Sequence, residues 1–308
     1  MRKFVSFFIF LLFVAYSAPY AQAISVTPAV IDVRVAASER NDFSFLVTND
    51  EKETISYAFS IQKFVPQGES GQPNFLPPSD TSGLPDWLFL DAPSITLRPG
   101  ESRMIPVSLR VPNDASSGGH YAAIFLTQTT LNSAIGQNIT AIPRIGVLVF
   151  ATIDGSIIEK AVLNDFSIER SSVSHLPITF RATLENRGNV HITPSVSVEV
   201  QNMFGKTVAL LDANEEKGRI LPSSARRFSA VWQKSSVDQG ASLFHHLQEE
   251  WRNWGFGFYK AKILSSIKSG PLEIKHVSFQ VWPWRTMLLV VAVMTLLIAV
   301  YRSLRNKR

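Results

Sequence analysis

The amino-acid sequence predicts an all-β fold, with two tandem immunoglobulin-like β-sandwiches followed by one C-terminal transmembrane helix. Three observations carry this prediction. Strand-like segments rich in β-branched and aromatic residues, separated by Pro, Gly, Asn and Asp, fill most of the chain. A set of short motifs occurs twice in the same order, which indicates an internal repeat. An uncharged stretch without Pro or Gly, residues 286–300, follows the second copy.

Residues 1–23 have the composition of a secretory signal peptide. Arg2 and Lys3 precede an apolar centre over residues 4–15, and the small residues of Ala21-Gln22-Ala23 suit cleavage after Ala23. The alternative is an uncleaved N-terminal anchor. With either reading, the residues between the two hydrophobic ends are predicted to be exported.

The repeat divides the exported part into a first sandwich at 24–154 and a second at 157–281. In each copy a strand ends in Asn, an apolar-x-Pro-x-x-x-Arg motif follows, and a Gly-x-Tyr segment comes last. The Asn tolerates left-handed backbone at a turn, and the Pro fixes a turn before a strand. Two unrelated β domains are the alternative. The matched segments are Val47-Thr48-Asn49 with Leu184-Glu185-Asn186, Leu97–Arg103 with Ile220–Arg226, and Gly119–Ala122 with Gly257–Ala261.

Tyr121 and Tyr259 occupy matching places in the two copies. Each follows a Gly near the start of a late strand, which is the position of the tyrosine corner in immunoglobulin-like sandwiches. In that corner the hydroxyl bonds to a nearby backbone group. Both residues are therefore predicted to be structural tyrosine corners.

The second copy carries an insertion, residues 241–254, before its Gly-x-Tyr segment. The apolar residues of this insertion recur at the spacing of one helix face. The predicted role is a cap over the end of the sandwich. The alternative is a docking surface for a partner or for the membrane interface. The candidate binding residues on this face are Leu243, Leu247, Trp251 and Trp254.

Residues 285–301 are predicted to form the transmembrane helix, and 302–308 a basic cytoplasmic tail. Aromatic residues are expected at the membrane interface, and long basic side chains can reach from helix ends to headgroups. The tail contains no acidic residue, so the positive-inside rule places it in the cytoplasm and the sandwiches outside. A core helix of a soluble domain is the alternative. The predicted interface anchors are Trp282, Trp284, Arg285 and Arg302.

Composition removes several classes of function. The formal net charge is +5. Two basic residues lie in the signal segment and five lie in 285–308, and neither segment contains an acid, so residues 24–284 carry −2. A near-neutral exported part lacks the excess of basic residues that binding to nucleic acid requires. The chain has no cysteine, which excludes a disulfide scaffold and thiol catalysis.

Motifs for enzymatic chemistry are missing from the sequence. It has no nucleophile elbow, no phosphate-binding loop and no H-E-x-x-H pattern. His245 and His246 are adjacent, so their side chains diverge on a helix and do not readily share a metal. The chain is therefore predicted to be non-enzymatic, with no cofactor and no metal.

The sequence resembles the WxL-interacting proteins of bacterial cell surfaces along nearly its whole length. The segments that carry the resemblance are VTPAVIDVRVAASERNDFSFLVTNDEKETISYAFS and ITLRPGESRMIPVSLRVPNDASSGGHYAAIFL, followed by a second β domain and a span with a basic tail. The resemblance implies that the first domain binds peptidoglycan and that the second binds other proteins. The first-strand and L-x-P-G-x-x segments are also similar to those of periplasmic pilus chaperones.

Two functions from different classes follow. The first is a membrane-anchored scaffold that holds a cell-wall polymer or a surface protein near the cell membrane. The alternative is a membrane-tethered assembly chaperone that pairs with a client by β-strand augmentation. In that case Arg34 and Arg144 are candidate anchors for a client's C-terminal carboxylate.

Overall fold

Two β-sandwiches and one long C-terminal helix make up residues 24–129, 144–235 and 243–306, which the computed structural model describes. The predicted fold class is thereby confirmed. The predicted signal peptide lies outside these ranges, as do the last two residues of the predicted tail. The chain separates into two compact units between Asp154 and Gly155, with residues 65–74 and 117–119 grouped with the second unit.

The first sandwich consists of two sheets. One has the strand order β1-β3-β8-β6, and the other has the order β2-β10-β9-β4-β5, with β7 also paired to β4. A short helix, α1 (Leu84–Trp87), precedes β6. The strands are β1 (Ile24–Thr27), β2 (Val30–Val35), β3 (Arg40–Asn49), β4 (Ile55–Gln67), β5 (Gln72–Phe75), β6 (Leu88–Leu90), β7 (Ser94–Leu97), β8 (Ser102–Arg110), β9 (Gly118–Gln128) and β10 (Arg144–Ile153).

The second sandwich pairs a three-stranded sheet with a larger one. The smaller sheet has the order β11-β13-β16, and the larger has the order β12-β19-β17-β14-β15, with β18 paired to β17. The predicted insertion forms a helix, α2 (Leu243–Arg252). The strands are β11 (Ala161–Ile168), β12 (Ser172–Val173), β13 (Ile178–Asn186), β14 (Ser195–Asn202), β15 (Thr207–Asp212), β16 (Ser224–Trp232), β17 (Gly257–Ile267), β18 (Gly270–Pro271) and β19 (His276–Val281).

Each sandwich has its own hydrophobic core. Alternate residues of a strand point to one face of a sheet, so Phe45 and Val47 of β3 face inward together, as do Val196, Val198 and Val200 of β14. Burial of each large apolar side chain contributes about 1.5–3 kcal/mol. Because the two buried clusters share no residue, each sandwich is stabilised by its own set of contacts.

The strand order shows that the two sandwiches are copies of one pattern. β1-β3-β8 corresponds to β11-β13-β16, and β2-β10-β9-β4-β5 corresponds to β12-β19-β17-β14-β15. The correspondence includes the parallel pair β2 with β10, which recurs as β12 with β19. The repeated sequence motifs therefore reflect repeated topology rather than chance similarity of β domains.

A buried Asn ends β3 and closes the turn that follows it. Asn49 is 0% exposed. Its amide nitrogen donates to the carbonyl oxygens of Glu53 at 2.8 Å and Leu97 at 3.1 Å. Its side-chain oxygen accepts from the backbone N–H of Glu51 at 3.0 Å. One side chain thus satisfies three backbone groups, which removes the cost of leaving them unpaired.

The Asn at the end of β13 makes the same three bonds. Asn186, also 0% exposed, donates to the carbonyl oxygens of Val190 at 2.7 Å and Ile220 at 2.9 Å. It accepts from the backbone N–H of Gly188 at 2.9 Å. The first carbonyl is four residues further on and the N–H two residues further on in both copies. The sequence match between the two Asn motifs is therefore a match of hydrogen-bond networks.

The turn after the repeated Pro requires left-handed backbone in both copies. Gly100 has φ +70°, and its N–H donates to the carbonyl of Asn49 at 2.8 Å. Ser223 has φ +55°, and its N–H donates to the carbonyl of Asn186 at 3.0 Å. Left-handed backbone costs about 1–2 kcal/mol for an L-residue with a side chain. The second copy carries this strain and the first does not.

Replacement of Ser223 by Gly should therefore stabilise the second sandwich, by about 0.5–1 kcal/mol after the greater freedom of Gly in the unfolded chain is included. The matched variant Gly100→Ser should destabilise the first sandwich by about 1 kcal/mol. A Cβ at Gly100 would meet no other atom within 4 Å. The loss of stability in Gly100→Ser would therefore come from the backbone conformation and not from a steric clash. Urea unfolding of the full-length variants measures both effects, and an unchanged midpoint for both would contradict the strain at this turn.

The C-terminal helix, α3 (Trp284–Arg305), begins one residue before the predicted transmembrane helix and ends four residues beyond it. Among the described residues it is the one helix long and apolar enough to cross a membrane. Its 22 residues are about 33 Å long, and the hydrocarbon core of a bilayer is about 30 Å thick. Its large apolar side chains after Arg285 are exposed, as the lipid-facing surface of a span requires.

Candidate partner-binding site and membrane junction

The N-terminus of α3 is capped by a carboxylate from α2. The side chain of Glu250 accepts hydrogen bonds from the backbone N–H of Thr286 at 2.9 Å and from its hydroxyl at 2.8 Å. Glu250 is 0% exposed and Thr286 is 8% exposed. The first N–H groups of a helix have no partner within the helix, and a negative charge there also interacts favourably with the helix dipole. Glu250 therefore supplies a cap from a separate element.

A second polar residue of the insertion fixes it to the sandwich. The side-chain oxygen of Asn253, which is 0% exposed, accepts from the backbone N–H groups of Lys234 at 3.2 Å and Ser235 at 3.0 Å. The Asn253 carbonyl accepts from the N–H of Leu176 at 3.2 Å. Glu250 of α2 bonds to Thr286 of α3, and Asn253 bonds to the sandwich. The insertion therefore connects the second sandwich to the predicted span.

The prediction that the apolar face of the insertion forms a cap is wrong for Trp251. Its side chain is 74% exposed, that of Trp254 is 38% exposed, and Leu247 is half-buried. The side chain of Leu243 lies outside the described residues. The insertion buries its polar residues because backbone N–H groups of the sandwich and of α3 need hydrogen-bond acceptors there. The spacing of the apolar residues does not predict this. The role of Leu243, Leu247, Trp251 and Trp254 as a docking surface stays a prediction.

The structure does not bring the two predicted carboxylate anchors together. Arg34 lies opposite Thr152 of β10, eight residues along the same strand from Arg144. At about 3.3 Å per residue this separates the two backbone positions by about 26 Å along the strand. Arg34 pairs with Asp154 at 2.6 Å, and the guanidinium of Arg144 lies 4.1 Å from the ring centre of Phe125. One client carboxylate cannot contact both arginines, so the two are separate candidates, and the role of either as an anchor stays a prediction.

The predicted tyrosine corners lie in the equivalent strands β9 and β17. The hydroxyl of Tyr259 accepts from the backbone N–H of Phe256 at 3.2 Å, a bond to backbone three residues upstream. The ring of Tyr121 lies 5.8 Å from that of Phe64 and 5.5 Å from that of Phe150, in an aromatic cluster. Tyr121 and Tyr259 therefore occupy equivalent strands, as the sequence match predicts. Their contacts differ, because Tyr259 bonds to backbone upstream and Tyr121 packs among aromatic rings.

The edge strand β15 is the best candidate for binding an extended segment. β15 is the last strand of its sheet, and among the described strands β14 alone pairs with it. Val208 is 42% exposed and Leu210 is 68% exposed, whereas Ala209 and Leu211 pack against the core. The strand contains no Pro and no basic residue. An edge with these properties can accept a further strand.

Four other described edge strands carry features that discourage such pairing. β5 contains Pro73, β2 turns Asp32 and Arg34 outward, and β16 turns Arg227 outward. β11 has a register irregularity between Leu163 and Asp165, and β15 has one at Val208, opposite the step from Val200 to Gln201. Pro, outward charges and bulges are common ways in which proteins protect sheet edges. The apolar outer face of β15 therefore distinguishes it from these edges.

A carboxylate on the outer face of the sheet connects β15 to its neighbours. Glu199 of β14, which lies opposite Leu210, accepts from Lys262 of β17 at 2.7 Å and from the Thr207 hydroxyl of β15 at 2.6 Å. The Lys262 hydrogen bond, followed by those from Thr207 and Gln201, lowers the pKa of the Glu199 carboxyl from 4.5 to about 2. One carboxylate thus connects three strands of the sheet.

The lowered pKa of Glu199 predicts acid sensitivity of this sheet. The ionised form is favoured by the fold, so its stabilisation is present above about pH 4.5 and is lost as the pH falls towards about 2. The variant Glu199→Gln should show a smaller fall in urea midpoint between neutral pH and about pH 3 than the wild-type chain. Glu273→Gln, which changes an exposed carboxylate of the same sandwich, is the control. Equal pH dependence in the wild type and in Glu199→Gln would contradict the assignment.

No family model matches the chain, and no curated protein matches it. Similar solved structures include the class 5 fimbriae chaperone CfaA, at 12% identity and a TM-score of 0.41, covering 82% of this chain and 98% of the other. The E. coli chaperone DraB is 10% identical with a TM-score of 0.39, covering 84% and 97%. A chain of the Salmonella enterica SafA pilin–SafB chaperone complex is 10% identical with a TM-score of 0.37, covering 84% and 98%. Identity and TM-score are low, so these likenesses carry no argument about function.

Proposed function

We propose that this chain is a membrane-tethered, non-enzymatic protein that binds an extended segment of an exported protein by adding it as a strand beside β15. The observation that carries the proposal is the apolar outer face of the edge strand β15 in the second sandwich, with Leu210 68% exposed on it. In strand addition, backbone hydrogen bonds supply affinity and alternate side chains supply specificity. This is the assembly-chaperone alternative, with β15 proposed as the binding edge.

The chemistry of β15 defines the segment that would bind. Six residues in extended conformation span about 20 Å, so the partner segment needs about six residues without Pro. On the outer face, the partner's side chains next to Val208 and Leu210 would be apolar. The ion pair of Glu199 with Lys262 lies on the same face. The partner is therefore a β-forming segment of alternating apolar and polar residues.

The membrane tether rests on α3. Its length matches a bilayer, and the basic residues beyond its apolar part favour a cytoplasmic C-terminus with both sandwiches outside the cell membrane. Membership of the WxL-interacting proteins, and with it a role in holding a cell-wall polymer, stays a prediction that rests on the sequence resemblance.

A photo-cross-linking residue in place of Leu210, in the full-length chain in its host membrane, tests the strand-addition proposal. The expected product joins position 210 to one extended, alternating segment of an exported protein. A photo-cross-linker at Val231, 46% exposed on the edge strand of the other sheet, is the matched control and should not join the same segment. Equal cross-linking at both positions, or cross-links to wall polymer alone, would reject strand addition at β15.

A synthetic peptide of the identified segment gives the second measurement. Its binding to the full-length protein in detergent should weaken at least about tenfold in Leu210→Lys, since an edge charge opposes strand addition. Val231→Lys should leave the binding unchanged.

Protease added to intact, wall-stripped cells should digest both sandwiches and leave a small C-terminal fragment. Full protection of the sandwiches would contradict the proposed orientation.

A further inference from the structure

One end of the larger sheet in the second sandwich is exposed and aromatic. The register pairs Asn202 of β14 with Tyr259 of β17, and Gly257 of β17 with Val281 of β19. The turn between β14 and β15, the start of β17 and the end of β19 therefore meet at the same end of the sheet. α3 also begins there, because only two residues, Trp282 and Pro283, lie between Val281 and its first residue, Trp284.

This end of the sheet carries apolar side chains that the protein leaves in solvent. Phe204, at the tip of the turn, is 86% exposed, Phe258 is 58% exposed and Phe256 is 45% exposed. The ring of Trp282 lies 5.0 Å from that of Phe256 and 6.0 Å from that of Phe258. Together with Met203, 48% exposed, these residues form what we term the juxtamembrane patch. Clustered exposure of this kind marks an interaction surface.

The surroundings of the juxtamembrane patch are basic. Lys206 follows Phe204 in the same turn, and Arg252 and Lys260 are exposed close by in sequence. The exposed Glu169 of a neighbouring loop pairs with Arg181 at 3.4 Å, which balances its charge. Apolar and aromatic side chains ringed by Lys and Arg are typical of surfaces that lie in a membrane interface, where anionic headgroups attract the basic residues.

We infer that the juxtamembrane patch inserts into the interfacial layer of the bilayer that α3 spans. The second sandwich then contacts lipid at two places, through α3 and through the patch. The patch is continuous with the predicted span, since Trp282 belongs to the patch and is separated from α3 by Pro283 alone. The inference rests on the membrane tether of the proposed function. The two attachments together would fix the tilt of the second sandwich on the membrane.

The absence of cysteine makes the test direct, because any introduced cysteine is unique in the chain. Phe204→Cys is the reporter at the patch, and Met104→Cys, 57% exposed in the first sandwich, is the solvent control. Leu296→Cys, in the middle of α3, reports the span itself. Each full-length variant is labelled with an environment-sensitive fluorophore and reconstituted into vesicles of equal parts phosphatidylcholine and phosphatidylglycerol.

The label at position 204 should be quenched by lipids that carry a spin label near the headgroup, and several-fold less by aqueous iodide than the label at position 104. The label at position 296 should be quenched by a spin label deep in the acyl chain. Lys206→Cys, in the same turn, serves as a second reporter if Phe204→Cys does not fold. Circular dichroism checks the fold of each variant.

The outcomes separate failure of this inference from failure of the tether. Labels at 204 and 104 equally open to iodide, with position 296 deep in the bilayer, would overturn the inference while the tether stands. A label at 296 open to iodide would overturn the tether and the inference together. Shielding of position 204 from iodide without quenching by the headgroup spin label would show that protein covers the patch, and it would also overturn the inference.

Discussion

Replacement of Asn186 by Ala is expected to lower the free energy of unfolding of the second sandwich by about 3 kcal/mol. The buried side chain donates to the carbonyls of Val190 and Ile220 and accepts from the N–H of Gly188. Its removal leaves three backbone groups without their partner, and each unsatisfied buried group costs about 1–3 kcal/mol. Hydrogen exchange of the full-length protein, resolved by peptide, measures the loss separately for each sandwich.

The repeat supplies a matched variant. Asn49→Ala should cost the first sandwich a similar amount, because the two side chains make the same three bonds. Asn164→Ala is the control, since its amide bonds to Glu185 on the surface and its loss should cost within about 0.5 kcal/mol. A variant at Asn186 that weakened both sandwiches equally would contradict the separate cores.

Replacement of Glu250 by Ala is expected to free the start of α3 from the second sandwich. The carboxylate is buried and accepts two hydrogen bonds from Thr286, and bonds to charged groups contribute about 1.5–3 kcal/mol. A loss of about 2 kcal/mol would make the Thr286 amide exchange roughly 30-fold faster. Hydrogen exchange of the full-length protein in lipid nanodiscs measures that amide region.

Two further variants test whether faster exchange at Thr286 is due to loss of the Glu250 carboxylate. Glu250→Gln keeps an acceptor oxygen and should retain part of the protection at Thr286, although it loses the charge that favours a helix N-terminus. Gln248→Ala changes an exposed residue of the same helix and should leave exchange at Thr286 unaltered. Equal acceleration in Gln248→Ala and Glu250→Ala would mean that α2 acts through its general stability and not through the cap.

Local pattern was sufficient for the main elements of this fold. Many of the strand segments and the long apolar C-terminal helix were predicted from residues adjacent in the chain, because side-chain periodicity and uninterrupted apolar length are properties of a single segment. The matched Asn and Pro motifs also predicted equivalent turns. The structure shows those turns to be closed by equivalent bonds at Asn49 and Asn186.

The candidate site could be predicted only in part. The insertion was identified as a helix near a partner or the membrane, and Trp282 and Trp284 were placed beside the span. Glu250 was missed, because its partner Thr286 lies 36 positions further along the chain and no local pattern connects the two residues. β15 was also missed, because exposed apolar residues of an edge strand have the same sequence pattern as those of a strand buried on one face.

By itself the sequence determined the all-β class, the two-fold repeat, the apolar C-terminal helix and the near-neutral charge of the part between the two hydrophobic ends, because each depends on composition or short-range order. Only the tertiary structure decided which strands lie at sheet edges, which face of α2 points inward, and that Arg34 and Arg144 are far apart. The physical reason is that lateral strand order and the partners of helix ends are set by contacts between residues distant in the chain. Glu250 and Thr286, 36 positions apart, are one such pair.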